Sequence, residues 1–139
     1  MTVNRTLNLE DILNRSLEAV LNLTGIDVGA IFLQDDLQGM LKLMAYRGLS
    51  EEAAHYAADF GMLDGSCGGV MEHGQIVIVP DLKHYHYRRA KSLRRENLST
   101  LVHVPLTAKG SVLGSMCVGT RQTRDFSEEE QELLTAIGN

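Results

Sequence analysis

Apolar residues in this chain follow two rhythms, and the order of those rhythms constrains the fold more than any other feature. Leu9, Ile12, Leu13, Leu17, Val20 and Leu21 recur at helical spacing, and Leu133, Leu134 and Ile137 begin a second helical stripe at the other end. Between them lie strand-like runs at 28–34, 40–46, 75–79, 99–106 and 111–119, with short helical patterns at 51–58 and 67–73. Neither stripe can bury itself, so both need the sheet that the intervening strands would make. Asp35–Gly39 and Ala108–Gly110 are tight connections, so neighbouring strands run antiparallel. The expectation is one α+β domain over residues 1–139, built on a central, mostly antiparallel sheet with its first and last helices on one face.

Local signals support the boundaries. Asn8 and Asp11 can cap the first helix and Gly25 can stop it, Ser66 can cap the helix over 67–73, and Pro80 closes the strand at 75–79. Ser127 with Glu130 spells a capping box, and Glu128–Glu130 suit the positive end of a helix. The stripe of Leu133, Leu134 and Ile137 runs to the last residues, so this helix is expected to continue in a longer parent protein and, beside residues 9–23, to pair with its twin in a homodimer.

Composition excludes several classes. With 44% apolar and 22% charged residues in 139, the chain is composed like an ordinary globular domain. No run approaches the roughly 18–20 apolar residues of a membrane span, and no apolar signal core follows Met1, so no membrane role and a cytoplasmic location are expected. Two cysteines with no CxxC pair fit neither a disulfide scaffold nor a zinc module, and a net charge of −5 does not suit nucleic acid.

Chemistry-bearing residues gather in three places. Strand alternation sets Leu101, His103 and Pro105 against Val102, Val104 and Leu106, and likewise Ser115, Cys117 and Gly119 against Met116 and Val118. His103 and Cys117 therefore share the less apolar face, as a packed polar pair or as part of a ligand, metal or redox site. Residues 81–97 carry six Lys and Arg against two acids. Within them His84, Tyr85, His86, Tyr87, Arg88 and Arg89 make either a solvated surface or a carboxylate, phosphate or haem-edge site, with Arg88 and Arg89 the first candidates to grip an anion. Finally, Gly65 and Ser66 start a helix whose backbone N–H groups can face an anion, or simply a capped turn.

Gly29–Leu33, Arg47–Leu49, Gly65–Gly68, Pro80–Asp81, Val104–Leu106, Val112–Gly114 and Phe126–Glu129, in that order and spacing over nearly the whole chain, resemble the GAF domain. The resemblance implies a small-molecule pocket under short helices and loops on the sheet face opposite the long helices. It also implies a non-catalytic regulatory role in a parent signalling protein with an output domain, most often a two-component sensor histidine kinase. The candidate pocket residues are then Ser66, Cys67, Tyr85, Arg88, Arg89, His103 and Cys117, with no catalytic residue, no metal and no cofactor named. Relatives that bind cyclic nucleotides carry an Asn-Lys pair where Thr120-Arg121 stands here, with Phe126 retained and Arg121 and Glu130 in place of the charge pair. Bilin-binding relatives hold the chromophore on a cysteine followed by histidine, whereas Gly68 and Val118 follow the cysteines here. The family's enzyme, the free methionine-R-sulfoxide reductase, shares the stretch Gly65–Gly68, but only Cys67 of its thiols is matched. That enzyme and a ligand-free dimerisation module are the alternatives.

Overall fold

The computed structural model describes residues 9–35, 41–60, 66–82 and 96–139, with 59, 60 and 66–69 described by backbone alone. Asn8, most of the acidic turn and residues 83–95 lie outside them. Among the described residues the order is α1 (Leu9–Thr24), β1 (Val28–Gln34), β2 (Leu41–Arg47), α2 (Glu51–Phe60), α3 (Ser66–His73), β3 (Val77–Val79), β4 (Thr100–Ala108), β5 (Ser111–Thr120) and α4 (Glu128–Gly138).

α1 forms where the stripe requires it, with Glu10 and Asp11 at its positive end. Gly25 ends it at φ +72° and donates its N–H to Leu21 O at 2.9 Å, a left-handed closure that glycine adopts without a Cβ penalty. The five strands make one antiparallel sheet in the order β2-β1-β5-β4-β3. β4 and β5 turn through Lys109 and Gly110, both at positive φ, 52° and 80°, the backbone of a two-residue hairpin loop whose twist matches the strands. Ala108 then faces Ser111 and Thr107 faces Val112, but Leu106 faces Gly114. Leu113 is thus an extra residue in β5, a bulge that displaces all later pairing by one. Beyond it Val104 faces Met116, His103 faces Cys117 and Val102 faces Val118.

The sheet has two unlike faces. Leu17 and Val20 of α1 and Leu134 of α4 pack with Ile31, Val102, Val104, Met116, Val118 and Phe126, so both long helices cover one face, as their stripes require. Across the sheet Val28, Ala30, Phe32, Leu101 and Cys117 pack with Ala57 of α2 and with Leu82 and Leu98. α3 packs on β4 and β5 and buries Val70 completely.

Local expectations shift by small amounts. β3 starts at Val77 rather than Gln75, because only Val77–Val79 find partners on β4, and α2 runs two residues past Ala58. α3 begins at Ser66 itself. Glu130 pairs with the guanidinium of Arg124, not with Arg121, whose own guanidinium donates to Gly48 O at 3.2 Å. Arg124 also lies over the Phe126 ring, 4.3 Å from its centre.

The capping box is complete. Ser127 Oγ accepts from Glu130 N at 3.1 Å, and Glu130 Oε1 accepts from Ser127 N at 3.0 Å. The Ser127 backbone N–H, then Arg124, hold the Glu130 carboxyl below its ordinary value of 4.5, against the opposing pull of desolvation. A carboxyl lowered by folding stabilises the fold above its ordinary value, and that contribution is lost as pH falls through the lower folded value. Ser127→Ala is expected to cost about 1 kcal/mol in urea unfolding at neutral pH. The pH-dependent part is read from Glu130→Gln, which has no carboxylate for the Ser127 N–H and Arg124 to hold: its gap from the parent should shrink as the medium is acidified below the carboxylate range.

Candidate functional site

The face beneath α2 and α3 carries a polar centre in apolar surroundings. His103 on β4 and Cys117 on β5 are partners in register, both 0% exposed, and His103 Nδ1 lies 2.9 Å from Cys117 Sγ. Either the thiol donates to the ring nitrogen or Nδ1–H donates to sulfur, according to the tautomer. Ser115, two residues before Cys117 and so on the same face, is equally buried with its Oγ 3.6 Å from the same sulfur. The walls come from both neighbouring strands: Ala30 and Phe32 of β1 pair with Cys117 and Ser115, and Val77 of β3 pairs with His103. A thiol with an imidazole nitrogen in contact can exchange its proton, bind a soft metal or attack an electrophile.

The expected pocket residues divide three ways. His103 and Cys117 lie on one face, as strand parity predicts, and the register past the Leu113 bulge brings them into contact. Ser66 and Cys67 occupy the first turn of α3, the helix that packs on the strands bearing that pair. Tyr85, Arg88 and Arg89 lie outside the described residues. Ser115 was visible in the sequence only as a small residue on the shared face; its spacing of two from Cys117 is the signal that marks it. Among the described residues no three His, Cys, Asp or Glu side chains gather as metal ligands.

The flanks of the basic segment are anchored to this same layer. Leu82 N donates to Ser99 O at 2.7 Å and Thr100 Oγ1 to Pro80 O at 2.9 Å, closing residues 80–82 onto 99–100. Ser50, whose Oγ accepts from Ala53 N at 3.1 Å and so caps α2, donates its own N–H to Glu96 Oε1 at 2.9 Å. Leu82 and Leu98 are buried with Cys117 in one cluster. Both flanks of the segment, at Leu82 and Leu98, therefore lie on the Cys117 side of the sheet. Among the described residues, open surface grooves lie along α4 beside Ile76 and between α1 and β2.

The long helices expose a different surface. Leu9, Ile12, Ser16, Ala19 and Leu23 are all exposed and follow one another at spacings of three and four, a seam along the flank of α1 beside its buried stripe. Leu23 is 70% exposed and Leu133 of α4 45%. No described helix is long and apolar enough to cross a membrane.

Residues 6–139 match the family model described as GAF domain. The fold resembles a domain from a protein named as a two-component sensor histidine kinase of Sinorhizobium meliloti 1021, with TM-score 0.77, 21% identity and coverage of 96% of this chain and 87% of that one. It resembles equally the GAF domain region of a membrane protein from Geobacter sulfurreducens PCA, with TM-score 0.77, 24% identity and coverage of 98% and 91%. A type II free methionine-R-sulfoxide reductase from Thermoplasma acidophilum superposes with TM-score 0.72 at 19% identity, over 96% of this chain and 91% of the enzyme. No curated protein sequence matches the chain.

Proposed function

The chain belongs to the GAF domain family, a regulatory, sensor-type fold, and from that premise we propose that it is a single non-catalytic domain that senses a small molecule for a larger signalling protein. The observation that carries this reading is the contrast between the two sheet faces. One is lined by apolar side chains where α1 and α4 close it, with Thr100 and Thr120 at its end; the other holds His103, Cys117 and Ser115 under short helices, with Leu82 and Leu98 from either side of the basic segment in the same layer. A buried polar cluster is retained against its desolvation cost where orientation or recognition needs it. Ser66, Cys67, Tyr85, Arg88 and Arg89 join it as ligand-binding candidates, the arginines for an anionic group.

The likeness to a sensor histidine kinase domain supports a two-component parent with an output domain; in the same reading the domain acts in the cytoplasm and binds neither nucleic acid nor membrane. Output then runs through a homodimer of the terminal helices, because the exposed seam of α1 and Leu133 of α4 gain by burial against a second copy. Ligand binding would shift one helix arrangement against another, with a coupling typically of about 1–3 kcal/mol.

A second reading is favoured by one observation, the likeness to the Thermoplasma reductase together with a thiol on the sheet. Native mass spectrometry and visible absorption of freshly purified protein test the first reading, with a noncovalent adduct that is lost on unfolding as the expected result. Turnover of free methionine sulfoxide with a thiol reductant would overturn it in favour of the enzyme. Sedimentation tests the dimer: the parent is expected to associate and Ile12→Glu/Leu23→Glu to be monomeric. A parent that stays monomeric at high concentration removes the dimer from the proposal.

A further inference from the structure

We propose that Cys117 is a modification site, a thiol that His103 activates for oxidation by a small uncharged peroxide. The chemistry belongs to this pair of side chains and holds whether or not the domain takes a reversible ligand.

The geometry is that of a nucleophile and its base. His103 Nδ1 sits 2.9 Å from Sγ, within the range over which a proton passes directly between heavy atoms. Register keeps it there: the Leu113 bulge aligns His103 with Cys117, and Val77 on the far side of β4 pairs with His103. Ser115 Oγ, 3.6 Å from the sulfur, is a second polar atom beside the reacting centre. Packing a thiol against a sheet needs none of these, since a buried cysteine is content as a small apolar side chain.

Burial selects the reagent. Cys117 is 0% exposed among Val28, Ala30, Phe32 and Leu101, so a bulky or charged electrophile meets a closed apolar layer. Hydrogen peroxide is uncharged, close to water in size, and reaches such a thiol through local opening. In the reaction His103 takes the thiol proton and the thiolate attacks one peroxide oxygen. The O–O bond breaks, and the leaving oxygen recovers the proton from the imidazolium and departs as water. Cys117 is oxidised by two electrons to the sulfenic acid and the peroxide is reduced to water. Low-molecular-mass thiols reverse the change through a mixed disulfide. The added oxygen enters a position with no solvent exposure, flanked in register by Ala30 and His103, so oxidation crowds the layer above the sheet.

The test uses Cys67→Ser, which leaves Cys117 as the single thiol of a chain with two cysteines. The folded protein is treated with hydrogen peroxide for timed intervals and then unfolded in urea containing a 1,3-dione that traps sulfenic acid, and the adduct is located by peptide mass spectrometry. Cys117 is expected to be tagged, at a rate that falls about tenfold or more when His103→Gln is added. A second measurement does not depend on that variant folding. At neutral pH Cys117 in the native protein should be oxidised faster than in the urea-unfolded chain, where no base is held beside the sulfur. An untagged Cys117, a folded His103→Gln variant with an unchanged rate, or a native rate no higher than that of the unfolded chain would each overturn the proposal.

Discussion

A Phe32→Ala variant is expected to lose about 3–5 kcal/mol of stability, the range for emptying a phenyl group from a closed interior. Phe32 heads the fully buried side chains by volume and is 1% exposed. It stands on β1 opposite Leu43 of β2 and Ser115 of β5, so its neighbours in the sheet on both sides are strand residues held in register. Urea unfolding should show the loss as a lower midpoint with little change in slope, because the surface exposed on unfolding barely differs. The cavity would adjoin Ser115 and hence the sulfur of Cys117, so a small thiol reagent should also reach Cys117 faster in the folded variant than in the parent. A loss below about 1 kcal/mol would mean that the layer closes over the gap, and that Phe32 is not the wall its burial implies.

Leu17→Ala makes the matching measurement on the other face, with an expected loss of about 2–5 kcal/mol. Leu17 is the point of α1 that enters the sheet: it is 0% exposed and packs in the cluster with Ile31, Val102 and Met116. Leu23, on the same helix but 70% exposed, is the control, and Leu23→Ala should stay within about 0.5 kcal/mol of the parent monomer. The two faces are separated by the sheet backbone, so Leu17→Ala should leave the reagent reactivity of Cys117 unchanged under native conditions. Equal losses at Leu17 and Leu23 would contradict the orientation of α1, and faster modification of Cys117 in Leu17→Ala would contradict the independence of the two layers.

The legible parts of the fold were those fixed within a few residues. α1 is written in one stripe and stopped by Gly25, whose positive φ needs no distant partner. The box of Ser127 and Glu130 depends on a spacing of three, and both of its hydrogen bonds form. Elements that depend on a neighbour were less legible. β3 is cut to three residues by where β4 offers partners, which Gln75 and Ile76 do not reveal. The partner of Glu130 was misplaced for the same reason. Arg121 and Arg124 are alike in sequence, but Arg121 N is held by Asp27 Oδ2 at 2.8 Å and its guanidinium by Gly48 O, which leaves Arg124 to meet the carboxylate.

The candidate site divides along the same line. Sequence alone determined that His103 lies on the face opposite Val102 and Val104, and Cys117 on the face opposite Met116 and Val118, because alternation along a strand is a property of extended backbone and the apolar residues mark which side is closed. It could not determine that the two side chains meet. Counted back from the Lys109-Gly110 turn without interruption, the hairpin would set His103 against Met116. The single extra residue at Leu113 moves every later pair by one and brings Cys117 opposite His103 instead. Only the tertiary structure could decide that, because a bulge is placed by which side chains both faces of the sheet must bury at once, a condition imposed by α1 and α4 on one side and the α2 layer on the other.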